Sequence, residues 1–341
     1  MNRLALYFTG PKQVSVREEP LPPLGPDQVL VQTILSAISS GTELLIYRGE
    51  APTDLPMDEA IVALSGTLDF PLKYGYSTVG LVIAKGAEVD DSWGEKLIFA
   101  FHPHESHFAA LPAELIPLPD GIPPEDAVFL SNMETAVNFL MDGRPLIGEQ
   151  IAVLGQGIVG LLTTALLAQF PLASLVTLDC YPLRRQTSLE LGAHASLDPT
   201  EPDAVQHTRS MLQGTGTYPG ADLTYELSGT PAALEQAIGV TGFNGRVVIG
   251  SWYGQKRANL DLGSYFHRSR IRLISSQVST LAPEFTSRWT KMRRLRLAWE
   301  MLEKLKPSHS VTHRFPISQA AQAYRLLDQK PGEVIQVVLT Y

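Results

Sequence analysis

The sequence predicts an α/β protein built as a β-rich, barrel-like domain joined to a doubly wound parallel sheet with helices on both faces. Two observations carry this. Residues 1 to about 130 are dense in proline and β-formers, and from there on apolar strand-like runs alternate with helical segments. The chain has 341 residues, which suits roughly two domains and more than one core.

In order, Met1 to Pro20 reads as a short apolar stretch followed by a charged, hairpin-like segment. The runs Gln28–Ile34 and Thr78–Ala84, punctuated by Gly and Pro, read as strands. Leu111 to Pro124 is rich in proline and reads as a connector, and Gly94 to Phe108 as continuous strand. Strands at Ile151–Leu154, Leu175–Leu178, Leu223–Glu226, Val247–Gly250 and Ile271–Ser275 then alternate with helices reaching Gln169, running from Pro182 through Leu191, and spanning Pro231–Ile238. The tail predicts a helix near Ser287–Lys304, a second over Ser318–Leu327, and a strand over Val334–Thr340. The expected division is 1–130, 131–277 and 278–341, the last segment returning to complete the first domain.

Composition narrows the classes. Hydrophobic residues make up 44% and charged residues 18%, which excludes disorder and coiled coil. The 27 basic and 35 acidic residues give a net charge of −8, which argues against a phosphate- or lipid-neutralising surface, so neither nucleic acid nor membrane is an expected partner. The single cysteine, Cys180, rules out internal disulfides and multi-thiolate zinc sites and suits a reducing, cytoplasmic setting. No signal peptide is read at the N-terminus. Gln150 to Leu178 carries no charge and by count alone spans a bilayer. Three glycines and Pro171 interrupt it, so it reads as buried sheet and helix.

The chemistry begins in that segment. After Ile151–Leu154 comes Gly155-Gln156-Gly157-Ile158-Val159-Gly160, and a helical segment follows at once. Strand, G-x-G-x-x-G and helix form the Rossmann dinucleotide fingerprint: the first glycine allows the tight turn, the second lets backbone approach a pyrophosphate, and the third lets helix pack on strand. Asp179 follows nineteen residues beyond Gly160, where a carboxylate accepts hydrogen bonds from a ribose diol and repels a 2′-phosphate. This favours NAD, although Arg184 and Arg185 lie close enough to serve a phosphate. Ser228, Gly229, Gly250 and Ser251, at the carboxyl ends of later strands, serve either the cofactor edge or plain turns.

Together these features resemble the medium-chain dehydrogenase/reductase superfamily, best known through the zinc alcohol dehydrogenases with their GroES-like catalytic domain. Ser40-Gly41-Thr42-Glu43 resembles its Cys-Gly-Thr-Asp element, and Tyr74-Gly75-Tyr76-Ser77 falls where Gly-His-Glu is expected. The resemblance places Ser40 at the first zinc thiolate, Tyr76 at the ligand histidine and Ser77 at the glutamate beside it, the third ligand position on or near Ser131, and Leu45 at the proton-relay histidine. Neither serine nor tyrosine is an ordinary zinc ligand, so a zinc-independent branch, with no metal residues, is expected. Charge developing on a substrate oxygen then falls to Ser40, Thr42, Tyr76 and His102, with Tyr76 the foremost donor. The plain alternative for Ser40-Gly41-Thr42 is a cap for a helix beginning near Glu43.

The run His102-Pro103-His104-Glu105-Ser106-His107 admits three readings. On a strand His102 and His104 share a face and could form a two-imidazole ligand pair for a metal; alternatively the run holds a substrate-facing proton donor, His102, or is edge-strand polarity around Pro103. Residues Glu284 to Lys306 form a basic amphipathic helix, read as a solvated helix packed by its apolar face, or as a recognition element in which Arg293 and Arg294 meet an acidic or aromatic substrate. With Ser275-Ser276-Gln277-Val278 and the Ser-Gly-Thr-Glu element, that segment is similar to the bacteriochlorophyllide-type hydroxyethyl dehydrogenases.

The leading expectation is an NAD-dependent, zinc-independent oxidoreductase interconverting a secondary alcohol and a ketone. The alternatives are an NADPH-dependent quinone or enoyl reductase, against which Asp179 speaks, and a non-catalytic dinucleotide sensor, against which the polarity of Ser40, Thr42, Tyr76 and His102 speaks. By the resemblance a homodimer is expected, with Ile271–Val278 as its sheet edge.

Overall fold

The computed structural model describes residues 2–58, 61–212 and 219–341. The chain forms two compact units, Met1–Ser131 with Trp299–Tyr341, and Asn132–Ala298. Among the described residues the strands are β1 (Asn2–Gly10), β2 (Gln13–Pro20), β3 (Val29–Ala37), β4 (Thr78–Lys85), β5 (Leu97–Ala100), β6 (His107–Ala110), β7 (Leu115–Pro117), β8 (Gln150–Leu154), β9 (Ser174–Leu178), β10 (Ala195–Leu197), β11 (Ala221–Glu226), β12 (Thr241–Ile249), β13 (Arg272–Ser275), β14 (Val311–Pro316) and β15 (Gln336–Thr340).

In the first unit β1 and β2 pair as an antiparallel hairpin, and a larger sheet runs β14-β15-β3-β4-β5-β7, with β6 also on β3. β3 alternates buried Val29, Val31 and Thr33 with exposed Gln32 and Ile34, the period of a strand with one covered face. The C-terminal strands complete this sheet: β15 lies antiparallel to β3, with Val338 opposite Ala37, and β14 runs parallel to β15. A core beside them unites Leu6, Phe8, Ile46, Leu64, Tyr324 and Val337.

The second unit is a six-stranded parallel sheet ordered β10-β9-β8-β11-β12-β13, the doubly wound order that changes direction beside β8. Ile151, Ala152, Val153 and Leu154 of β8 are all buried, because helices cover both faces of a parallel sheet; this accounts for the uncharged run from Gln150. Among the described residues no helix is long and apolar enough to cross a membrane.

Several elements differ from the sequence reading. Gly94–Phe108 is not continuous strand: β5 ends at Ala100 and β6 begins at His107, leaving Phe101–Ser106 as a loop around Pro103, which has no N–H for a ladder. The connector Leu111–Pro124 carries β7. The C-terminal helix starts at Lys291, where Thr290 Oγ1 accepts the Arg293 N–H at 3.1 Å, four residues later than periodicity suggested. β10 and the helices Leu130–Gly143 and Ala204–Met211 went unread.

Candidate functional site

In the second unit, the glycine loop joins β8 to the helix Ile158–Leu167, with Gly157 as its N-cap. Each glycine meets a different demand. Gly155 has φ +90°, and a Cβ there would lie 2.6 Å from the Ser228 backbone. At Gly160 a Cβ would lie 2.0 Å from the Gly155 carbonyl oxygen, so helix and turn touch through bare backbone. Around Gly157 nothing lies within 4 Å of such a Cβ, so this glycine faces open space at a helix N-terminus, whose first amides have no intrahelical acceptor.

Gln156 turns inward. Its Oε1 accepts from Thr164 Oγ1 at 2.9 Å, and its Nε2 donates to the Val153 and Gly155 carbonyls, so only its backbone faces the loop. That backbone N–H donates to Asp179 Oδ2 at 2.7 Å, while Asp179 Oδ1 accepts from the Tyr181 N–H at 2.9 Å. Arg184 Nη1 stands 3.9 Å from Asp179 Oδ2. Arg185 is committed elsewhere, to the Asp179 carbonyl at 2.7 Å and to Asp198 at 2.9 Å.

At the carboxyl end of β11, buried Glu226 accepts the Ser228 N–H at 2.8 Å and hydrogen bonds from Ser228 Oγ and the Tyr253 hydroxyl. Burial and the adjacent Glu226 carboxylate raise the Tyr253 phenol above its ordinary value. Gly229 N–H donates to Ser251 Oγ at 2.8 Å, and a Cβ at Gly250 would lie 2.3 Å from Phe139. The structure thus joins Ser228, Gly229 and Ser251 in one rim organised by Glu226 and Tyr253. Sequence reasoning missed both organisers; the available signal was an acid, Glu226, closing the strand.

In the first unit, the helix Ser40–Arg48 follows Ser39, and Tyr76 precedes β4. The Tyr76 hydroxyl is hydrogen-bonded to Ser39 Oγ and lies 3.2 Å from Thr42 Oγ1. Loss of hydration raises this phenol above its ordinary value, and the bonds from Ser39 and Thr42 work the other way. Ser77 and Ser131, both buried, are hydrogen-bonded to each other. Ser40 heads the helix, and Leu45 is buried on it. Ser40, Tyr76, Ser77 and Ser131 offer only hydroxyls, a donor set that does not fit zinc, which takes thiolate, imidazole or carboxylate.

The histidines part company. His102 stacks on Phe108 with ring centroids 3.8 Å apart, and its Nδ1 lies 3.1 Å from the Pro103 carbonyl. Burial lowers its pKa to about 3. His104 is wholly buried, with Nε2 3.1 Å from Glu43 Oε2 and Nδ1 2.6 Å from Ser36 Oγ. Because they lie in a loop, the two rings do not share the strand face that a paired reading requires. Among the described residues no group of three or more His, Cys, Asp or Glu gathers as a metal cluster.

The basic helix is not simply solvated. Arg294 is fully buried: its Nε and Nη2 reach Glu134 Oε1 at 3.1 and 2.9 Å, Nη1 reaches Asn138 Oδ1 at 2.5 Å, and Nη2 also donates to the Val278 carbonyl. With its hydrogens committed inside the unit, Arg294 is a structural ion partner and not a surface recognition group. Exposed Arg293 lies over the Trp289 ring at 4.1 Å.

Comparison with known proteins places this geometry in a class. Residues 159–296 match the family of zinc-binding dehydrogenases. The chain is 27% identical over 364 residues to the zinc-type alcohol dehydrogenase-like protein YphC of Escherichia coli K12, covering 97% of this chain and 98% of that one. It superposes on the NADP-bound structure of a protein assigned as a zinc-binding dehydrogenase from Sinorhizobium meliloti 1021 (TM-score 0.78, 17% identity, all of both chains). It superposes equally on the NADH complex of the short chain alcohol dehydrogenase rspB from E. coli CFT073 (TM-score 0.79, 17% identity, 100% and 99% of the chains). The chain has the fold of these dehydrogenases, and its sequence is similar to that of a zinc-type alcohol dehydrogenase-like protein.

Proposed function

We propose that this chain is an alcohol dehydrogenase-type oxidoreductase that uses NAD(H) and interconverts a secondary alcohol and a ketone with a hydroxyl cluster in place of zinc. The observation that carries this reading is Tyr76: its phenol is held by Ser39 and Thr42 where the resemblance expects a ligand histidine. The relatives named for zinc weigh on the other side, and the donor set answers them, since hydroxyls alone do not make a zinc site.

A nicotinamide dinucleotide fits the second unit. The amides of Gly157, Ile158, Val159 and Gly160 would take its pyrophosphate, Asp179 and Arg184 its adenosine ribose, and the rim of Ser228, Gly229, Gly250 and Ser251 its remaining edge. Bound there, it supplies the hydride donor or acceptor. Asp179 favours a free ribose diol over a 2′-phosphate, which supports NAD, and Arg185 is tied to Asp198. Tyr76, a neutral phenol at working pH, donates a hydrogen bond to the substrate oxygen as charge grows on it, and Thr42 and Ser39 keep the phenol aimed. Ser40 lines the same helix start. His102 is not a proton relay in this scheme, because loss of hydration holds its ring neutral. The likeness to hydroxyethyl dehydrogenases makes a ring-bearing secondary alcohol the first substrate class to screen, and β13, the sheet edge, is the surface for a homodimer.

The test titrates NADH and NADPH side by side while zinc is quantified on the same sample. Preference for NADH without zinc is expected, together with a fall in ketone reduction of at least about tenfold in Tyr76→Phe at unchanged NADH affinity. NADPH preference would favour the quinone or enoyl reductase, stoichiometric zinc would overturn the zinc-independent reading, and unchanged turnover in Tyr76→Phe would remove the phenol from the mechanism.

A further inference from the structure

His104 of the loop Phe101–Ser106 and Glu43 of the helix Ser40–Arg48 form an acid–imidazole pair that the scheme above does not use. Glu43 and His104 are both fully buried, and their side chains meet at 3.1 Å. Glu43 Oε2 also accepts from the Tyr324 hydroxyl, and His104 Nδ1 meets Ser36 Oγ, which in turn lies 2.8 Å from the Tyr341 hydroxyl. A buried carboxylate survives only with such partners, since an unpaired one is strongly disfavoured.

Two further contacts give the pair a direction. The free oxygen of Glu43, Oε1, accepts the backbone N–H of Ser39 at 2.7 Å, fixing the residue whose hydroxyl holds Tyr76. The His104 ring also backs onto Gly75, where a Cβ would lie 2.9 Å from His104 Cδ2 and Nε2, and the His104 backbone N–H donates to the Tyr74 carbonyl at 3.4 Å. The imidazole therefore touches both arms of one hydrogen bond: the segment Tyr74–Gly75 that delivers Tyr76, and, through Glu43, the helix start that delivers Ser39.

We propose that the buried Glu43–His104 pair is the positioning element for the Tyr76 hydroxyl, setting the distance between the Tyr74–Tyr76 segment and Ser39. This deepens the reading of Tyr76 as hydrogen-bond donor and rests on it. His104 touches no reacting atom; it acts through Glu43, Ser39 and Gly75. Geometric placement of this kind matters because a misplacement of about 1 Å costs on the order of a hundredfold in rate.

The experiment labels tyrosine Cζ with carbon-13 and follows the Tyr76 resonance, identified by its absence in Tyr76→Phe, in His104→Gln and in Glu43→Gln. Glu43→Gln keeps an acceptor for Ser39 and is the second variant should His104→Gln fail to fold. The expected result is a displaced Tyr76 resonance with a melting temperature close to that of the parent, which a general loosening would not give. With NADH and a ring-bearing ketone, acetophenone, as probes, kcat falls about tenfold while the NADH KM stays within twofold. If only Tyr324 and Tyr341 move while Tyr76 stays in place, the pair is a structural brace and the proposal is overturned. If Tyr76 moves and Tyr76→Phe still reduces acetophenone at the parental rate, the coupling stands and the donor reading is what falls.

Discussion

The Gln156 amide donates to Asp179 Oδ2 at 2.7 Å, joining the second residue of the glycine loop directly to the acid that closes β9. In the proposed reading this one carboxylate would serve two tasks, shaping the loop and meeting the ribose. Asp179→Asn is expected to weaken NADH binding by about tenfold or more, roughly 1.4 kcal/mol, and to raise the NADPH-to-NADH affinity ratio by removing repulsion from a 2′-phosphate. Fluorescence titration of both nucleotides checks this, and a lowered affinity with an unaltered ratio would assign Asp179 to the loop alone.

The glycines make a paired prediction. Gly157→Ala meets open space at an ordinary helical φ, so its melting temperature should match the parent while dinucleotide affinity drops, since the methyl occupies the surface a pyrophosphate would approach. Gly160→Ala would drive a methyl to 2.0 Å from the Gly155 carbonyl oxygen, and is expected to lower the melting temperature itself. Calorimetry with and without NADH separates the two.

Arg294→Met leaves Glu134 buried without its partner and is expected to cost about 3–5 kcal/mol in urea unfolding. The double variant Arg294→Met with Glu134→Leu removes both charges and should recover much of that loss. Equal instability of single and double variants would mean that the carbonyls of Val278 and Thr280, which Arg294 also serves, dominate.

His102 supplies a pH dependence with a definite sign. Burial puts its folded pKa at about 3, below the ordinary 6.5, so between these values the unfolded chain binds the extra proton. Stability should therefore fall as pH drops through this window, by up to about 1.4 kcal/mol per pH unit from this group. In His102→Gln that component disappears, and unfolding free energies measured from pH 6.5 to 4.5 should decline less steeply than in the parent. Parallel slopes would count against a buried neutral His102.

The second unit was legible because its physics is local. A parallel strand buried on both faces must be a continuous apolar run, and the turn after β8 must carry glycine where backbone meets backbone. The histidine loop was not legible: His102 and His104, two apart, imitate strand alternation, and only Pro103 argued against it. Nor was the setting of Tyr76, since Ser39 lies 37 residues away in sequence and the Glu43 partners His104 and Tyr324 lie 61 and 281 away. Arg294 misled for a related reason: helical periodicity tells which face an arginine occupies but not that an acid and an amide wait inside to receive it.

The closing strands of the first unit have a kinetic meaning. β3 is among the earliest strands to leave a ribosome, yet its neighbour β15, together with Tyr324 and Val337 of the shared core, is synthesised some three hundred residues later. During that interval only the Leu35–Ala37 end of β3, beyond its pairing with β6, is an unsatisfied template, whereas Asn132–Ala298 already contains its whole parallel sheet and can mature first. The nascent chain is thus most vulnerable to self-association before β14 and β15 emerge, and dependence on holding chaperones should track that window.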